Sequence, residues 1–268
     1  MVRPSLQLMT LLLLLTVPAT LRAQSWGSNP ELNALANNMV KSLNEFMHRF
    51  NADEVPPFIT DDGSGNLRRK CIVSLFDLEQ VPNGESALAD RITDFTATAI
   101  GNDIRLDITS PGLYAEARCR FSYKKKDIML NLILVYENFK EDYWCWRIAG
   151  ANGLEATGLD TTRNGYISPV DHAMSFTELE KAFPNTSHFR SADSHMDQLS
   201  WLSALAQSGV LKFEGCEAVV YHFTQVPGYL FTVSMHPRKN INTGWLIHDL
   251  AETTDIGKQA FINQLLGR

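Results

Sequence analysis

Residues 117–149 read ARCRFSYKKKDIMLNLILVYENFKEDYWCWRIA. Ala117, Cys119, Phe121 and Tyr123 alternate with polar residues, the period of a strand that buries one face. Lys124-Lys125-Lys126-Asp127 then reads as a solvated hairpin turn. Ile128 to Tyr136 is apolar on both parities, which predicts a strand covered on both faces inside a sheet. Glu137 to Asp142 is a second polar turn, and Tyr143 to Ala149 is a further strand. Strands joined by turns this short make an antiparallel meander.

On the N-terminal side the pattern is helical. Ser28-Asn29-Pro30-Glu31 is a helix start, with a polar cap, a proline in the first turn and then an acid. Leu32, Leu35, Ala36, Met39, Leu43, Phe46, Met47 and Phe50 recur at three- and four-residue steps, predicting one amphipathic helix that ends before Val55-Pro56-Pro57. A shorter helix is predicted over Leu67 to Asp77, with Cys71, Leu75 and Leu78 inward, and a third from Ser86 to about Ala99. Ile104, Leu106 and Ile108 alternate as a strand, and Pro111-Gly112 is a turn. Helices followed by a meander give an α+β class.

On the C-terminal side the order repeats. Phe176, Leu179 and Phe183 mark a short helix, and Met196 to Ser208 another. Val210 to Phe213, Ala218 to Thr224 and Tyr229 to Met235 are strands, as is the run from Gly244-Trp245-Leu246-Ile247, and Thr253 to Leu266 closes as a helix. Lys140-x5-Trp146-Arg147-Ile148 is echoed by Lys239-x5-Trp245-Leu246-Ile247. That echo suggests a degenerate tandem repeat; the alternative is that antiparallel meanders resemble one another. The expected architecture is N-terminal helices packed on a curved antiparallel sheet, followed by a second, smaller α+β lobe of similar build. The expected boundaries are a signal peptide over 1–23, an α+β domain over 27–155, a linker over 156–172 and the second lobe over 173–268.

The chain of 268 residues is 44% hydrophobic and carries a net charge of −6, so it has the apolar content for a core and lacks the field that attracts nucleic acid. Arg3, the run Leu11 to Leu15 and Leu21-Arg22-Ala23 have the form of a cleavable export leader, its apolar stretch too short to span a bilayer. The expected location is periplasmic or extracellular, with no integral membrane segment after cleavage. Cys71, Cys119, Cys145 and Cys216 then meet an oxidising compartment, either as disulfides whose pairing the sequence leaves open or as buried thiols. No CxxC or Cys/His ligand spacing points to zinc.

The meander ending in Trp144-Cys145-Trp146-Arg147-Ile148-Ala149-Gly150, preceded by helices, resembles the NTF2-like (cystatin-like) superfamily over about residues 27–155. Pro169-Val170-Asp171-His172 and Gly244-Trp245-Leu246-Ile247 resemble secreted Bacteroidota proteins of unassigned activity over about 165–267. The resemblance implies a sheet wrapping a helix around a conical pocket, and it extends to enzymes and binding modules alike. The superfamily's enzymes place an Asp/His pair or a similar polar group in that pocket, and no such pair maps onto this chain.

Several constellations bear on chemistry. Asp160, Thr162, Asn164, Tyr166, Ser168 and Asp171 follow the spacing of a calcium-binding loop, with Gly165 at its sharp turn. Against it, Thr162 is a weak ligand, Asp171 is shorter than the usual bidentate Glu, and no helix enters the loop; a linker rich in turn formers is the alternative. Asp160-Thr161-Thr162 also resembles the sequon that Bacteroidota use for O-glycosylation. His188, Asp193, His195 and Asp197 are dense enough for a metal cluster but match no firm ligand pattern. Arg68-Arg69-Lys70 is either a solvated face or a seat for a phosphate or acidic partner. GxSxG, GxxxxGK[ST] and GxGxxG are all missing. Tyr143, Trp144, Trp146, Tyr229 and Trp245 are the aromatic residues most able to line a cleft, or else they pack as core. The expectation is a non-catalytic module that binds a protein or a small ligand and needs no cofactor. The alternatives are an NTF2-like enzyme using general acid–base chemistry and a calcium-stabilised adaptor.

Overall fold

The structure is a computed structural model and describes residues 39–77, 79, 87–140, 143–158, 198–238 and 242–267. Among the described residues the first regular element is a strand, β1 (Met39–Val40), followed by α1 (Leu43–Asn51). The single long helix expected from Pro30 to Phe50 is therefore corrected: the helix starts at Leu43. The cause is a local stop. Ser42 caps α1 by accepting from the Glu45 N–H at 3.1 Å, while the Glu45 carboxylate reaches back to the Lys41 N–H at 2.8 Å. This reciprocal bonding is close to a capping box and overrides an apolar period that runs on through it.

Two more helices follow, α2 (Leu67–Val73) and α3 (Ala87–Gly101). Cys71 and Leu75 point inward as expected, and Leu78 lies outside the described residues. Ile104 to Ile108 forms no strand. Instead the Asn51 side chain brackets Leu106, donating to its carbonyl at 2.9 Å and accepting from its N–H at 2.8 Å. An amide side chain thus does for Leu106 what a neighbouring strand would do.

The first meander is β2 (Leu113–Tyr123), β3 (Lys126–Lys140) and β4 (Tyr143–Asn152), and a short 3-10 turn covers Leu154–Thr157. α4 (Gln198–Gln207) leads to a second meander, β5 (Leu211–Phe223), β6 (Tyr229–His236) and β7 (Thr243–Glu252), and α5 (Asp255–Leu265) ends the described chain. The two strands expected at 210–213 and 218–224 are one, β5, whose register shifts on either side of Cys216.

All seven strands form one sheet in the order β1-β7-β6-β5-β2-β3-β4. The pairs are antiparallel except β1 with β7, which makes the sheet mixed. The expected second lobe with a sheet of its own is therefore not what forms. β5 pairs along β2 from Leu113↔Phe223 to Tyr123↔Leu211, so the two meanders join through their first strands. The physical reason is that β2 and β5 each have a free edge within their own meander, and pairing them satisfies both rows of backbone groups.

One face of β2 buries every second residue: Leu113, Ala115, Ala117, Cys119, Phe121 and Tyr123. Towards Leu113 this face belongs to a core built with α1, α2 and α3, in which Phe223 stacks on Phe231 at 4.8 Å and Phe95 meets Phe231 at 5.3 Å. Each fully buried ring of this kind contributes roughly 2–3 kcal/mol of transfer free energy. Towards Tyr123 the same face is covered by Leu199, Trp201, Leu202 and Leu205 of α4. The opposite face takes α5, whose Phe261, Ile262 and Leu265 pack with Ile133 and Tyr114. β3 is apolar on both parities because both of its faces are covered.

Candidate functional site

Between the two helical covers runs a row of rings. Tyr136 stacks on Trp144 at 6.0 Å and meets Trp146 edge-on at 5.3 Å. Trp146 meets Tyr221 at 6.1 Å, and Tyr221 meets Trp245 at 5.0 Å. All five are half-buried. Strand alternation and register bring them to one face: Tyr136 is opposite Trp146, and Met235 is opposite Trp245. β2 contributes Ala115 where it passes between Leu134 and Tyr221, and this short side chain leaves the rings room to approach across it. The two tryptophans of the sequence echo therefore sit on the third strand of each meander, and Tyr221 touches both. Burial pushes the Tyr221 phenol above its ordinary value, so it stays a neutral hydroxyl.

Of the five aromatic residues expected to line a cleft, Trp144, Trp146 and Trp245 fall in this row. Tyr229 does not: it is 7% exposed and packs on Phe95 at 5.3 Å, which makes it core. Tyr143 is 63% exposed and, with the opposite parity to Trp144, pairs with Phe139 at 6.4 Å. Tyr136 and Tyr221 are members that sequence reasoning missed. Their parity was available, because Tyr136 lies in phase with Leu130, Leu132 and Leu134, and Tyr221 with Phe223.

A second cluster lies where the chain leaves α2. Asp77, whose side chain is 2% exposed, has both oxygens taken by the Arg238 guanidinium, one of them at 2.7 Å. Arg238 also reaches Glu79 at 3.1 Å. His236 Nδ1 lies 3.7 Å and His248 Nδ1 3.5 Å from Asp77 Oδ2, with the two imidazoles stacked at 4.9 Å. Asp77, His236 and His248 have the composition of a metal site, their ligand atoms lying within 4.8 Å of one another. The guanidinium already answers the carboxylate's charge and stands where a cation would be repelled, so the donor set does not fit a metal.

Ser234 Oγ lies 2.8 Å from His236 Nε2, which completes a Ser-His-Asp order. The tautomer is wrong for a nucleophile. Arg238 Nη2 lies 3.3 Å from His236 Nδ1, and a guanidinium only donates. Nδ1 is therefore the acceptor, and Nε2 keeps the proton that it gives to Ser234, whereas a general base needs Nε2 free. Burial holds the His236 pKa below the ordinary histidine value, which keeps the ring neutral. The cluster works as a latch: it fastens the end of α2 to β6 and β7, beside the Asp77 N–H bond to the Ile247 carbonyl at 2.9 Å.

Two of the three residues of the basic run on α2 are engaged internally. Arg68 bonds Asp103 at 3.0 Å and the Ile104 carbonyl, and Lys70 bonds Asp62 at 2.8 Å. Arg69 and Lys70 border a shallow groove with Phe58, Ile59 and Val73. The calcium-loop candidates Asp160, Thr162, Asn164, Tyr166, Ser168 and Asp171 lie outside the described residues, as do His188, Asp193, His195 and Asp197 and the leader. Among the described residues no helix is long and apolar enough to cross a membrane. Comparison of the chain with protein-family models, with curated proteins and with solved structures finds no match.

Proposed function

We propose that this chain is an exported, non-catalytic binding module whose aromatic row receives a ligand bearing flat apolar rings. The observation that carries the reading is the unbroken series Trp144-Tyr136-Trp146-Tyr221-Trp245, half-buried on one face of the sheet and linked ring to ring at 5.0 to 6.1 Å. Rigid aromatic side chains present a large contact area at low entropic cost. A ligand ring lying on Trp146 would exchange its hydration for stacking against a surface already held in shape by its neighbours. The tautomer at His236 supports a binding role over hydrolysis. Export rests on the leader at 1–23. The NTF2-like reading enters only through the order of helices and meander, and through helices packed on a sheet face that also carries the candidate surface.

Titration with an anilinonaphthalene sulfonate, read by tryptophan quenching, tests the surface. Saturable binding is expected, weakened about tenfold, or roughly 1.4 kcal/mol, in Trp146→Ala and unchanged in Phe139→Ala, whose ring lies off the row. Equal binding by Trp146→Ala and the parent chain, with circular dichroism unchanged, would reject the row as the ligand surface.

A further inference from the structure

The seam between the two meanders carries a pair of thiols. Cys119 on β2 stands directly opposite Cys216 on β5. The flanking pairs are Arg118↔Ala218 and Arg120↔Gly215, so Glu217 is the extra residue of a bulge beside Cys216. Residues directly opposed in an antiparallel pair have Cα atoms about 4.5–5.5 Å apart, inside the roughly 4.4–6.8 Å that a disulfide spans. Cys119 is buried at 2% exposure and rests on the Ala117 carbonyl at 3.4 Å, while Cys216 is exposed and rests on the Ala218 carbonyl at 3.5 Å. Cys71 lies in α2, and Cys145 is opposite Glu137, so neither has a cysteine for a register partner.

We propose that Cys119 and Cys216 form a cross-strand disulfide that clasps β2 to β5. The oxidant is a disulfide, either of a small thiol or of an exchange protein. The exposed Cys216 thiolate attacks one sulfur of that disulfide and releases one thiolate. Cys119 then displaces the second thiol from Cys216. Two protein thiols give up two electrons to the oxidant's S–S bond, which leaves as two reduced thiols carrying the two protons. The order of events follows from the surroundings. Burial and the neighbouring Cys216 push the Cys119 thiol up to about 11, so it is a poor first nucleophile and serves as the resolving group. The closed loop spans roughly a hundred residues, the class in which a cross-link restricts the unfolded chain most. The clasp stands independently of the ligand reading.

The test uses the folded full chain and its Cys71→Ser/Cys145→Ser variant, each treated with oxidised glutathione. In the variant both titratable thiols are expected to disappear with no glutathione retained. Peptide mass spectrometry is expected to join the segments holding residues 119 and 216. The melting temperature is expected to rise and to return on adding dithiothreitol. The same linked peptide is expected from the unsubstituted chain, which covers a variant that fails to fold. Two persisting thiols, glutathione held stably on Cys216, covalent dimers or a link through Cys71 or Cys145 would each overturn the proposal.

Discussion

Lys124 and Lys125 close the β2–β3 hairpin with φ of 49° and 65°. A two-residue turn with both φ values positive suits the right-handed twist of its strands, but there the Cβ of an L residue crowds the backbone carbonyl, so the turn favours Asn and Gly. Lys125→Gly is therefore expected to stabilise the fold by about 1 kcal/mol, read as a rise of a few degrees in melting temperature. Gly244 has the opposite sensitivity. Its φ is 98°, and a Cβ there would meet the Val40 backbone, with N at 2.7 Å, C at 2.8 Å and O nearer still. Gly244→Ala is expected to dislodge β1 from β7 and to cost about 3 kcal/mol or more in urea unfolding. Asp77 sets an acid limit. Its bonds from Arg238 hold its carboxyl below the usual carboxylate range. A folded pKa below the unfolded one adds stability that is fully present above the ordinary value near pH 4 and is lost as pH falls through the depressed folded value. Thermal unfolding between about pH 6 and pH 2 is expected to show this loss, and Asp77→Asn is expected to flatten that limb while lowering stability at neutral pH.

Elements whose signal is local and unopposed were legible. The strands expected over 117–123, 128–136 and 143–149 form as 113–123, 126–140 and 143–152, and α3 and α5 form close to their expected ranges. Glu137 to Lys140, read as turn from their polarity, instead continue β3 as an exposed ribbon paired with β4. The N-terminal helix was misread because eight apolar residues kept phase across Ser42. Phase records where side chains point if a helix forms, whereas the stop came from Ser42 and Glu45 bonding backbone donors. Ile104 to Ile108 alternates like a strand yet has no strand beside it, and Asn51 supplies the pairing from one side chain. Asn51→Ala is expected to cost about 3 kcal/mol in chemical denaturation, because it strands a buried donor and a buried acceptor at Leu106 together. α5 is positioned in a comparable way. Lys258 donates to the carbonyls of Thr224 at 2.8 Å and Val226 at 2.6 Å, and Gly150 leaves space for the Leu266 backbone. Neither contact has a period that a sequence reader follows. The candidate surface was partly legible for the same reason: Trp144, Trp146 and Trp245 stand out by type, but membership in the row depends on register between strands far apart in the chain.

For the molecule as a whole, the decisive contact is β2 against β5, and it joins segments roughly a hundred residues apart. Local patterns identify both meanders and are silent on which free edge meets which, so two lobes and one sheet read alike until the pairing is known. The echo around Trp146 and Trp245 belongs to this level: it marks equivalent strands placed towards opposite ends of one sheet, β4 at its edge and β7 beside β1. Contacts this distant are costly to close, so folding is expected to be slow beside that of a helical protein of equal size. The same join makes the chain divisible. A fragment holding only the first meander would bare eleven residues of β2, and its counterpart would bare β5, each an open template for another ribbon. Such fragments should self-associate when made singly and should reunite as a one-to-one complex when mixed, an exchange that size-exclusion chromatography would resolve.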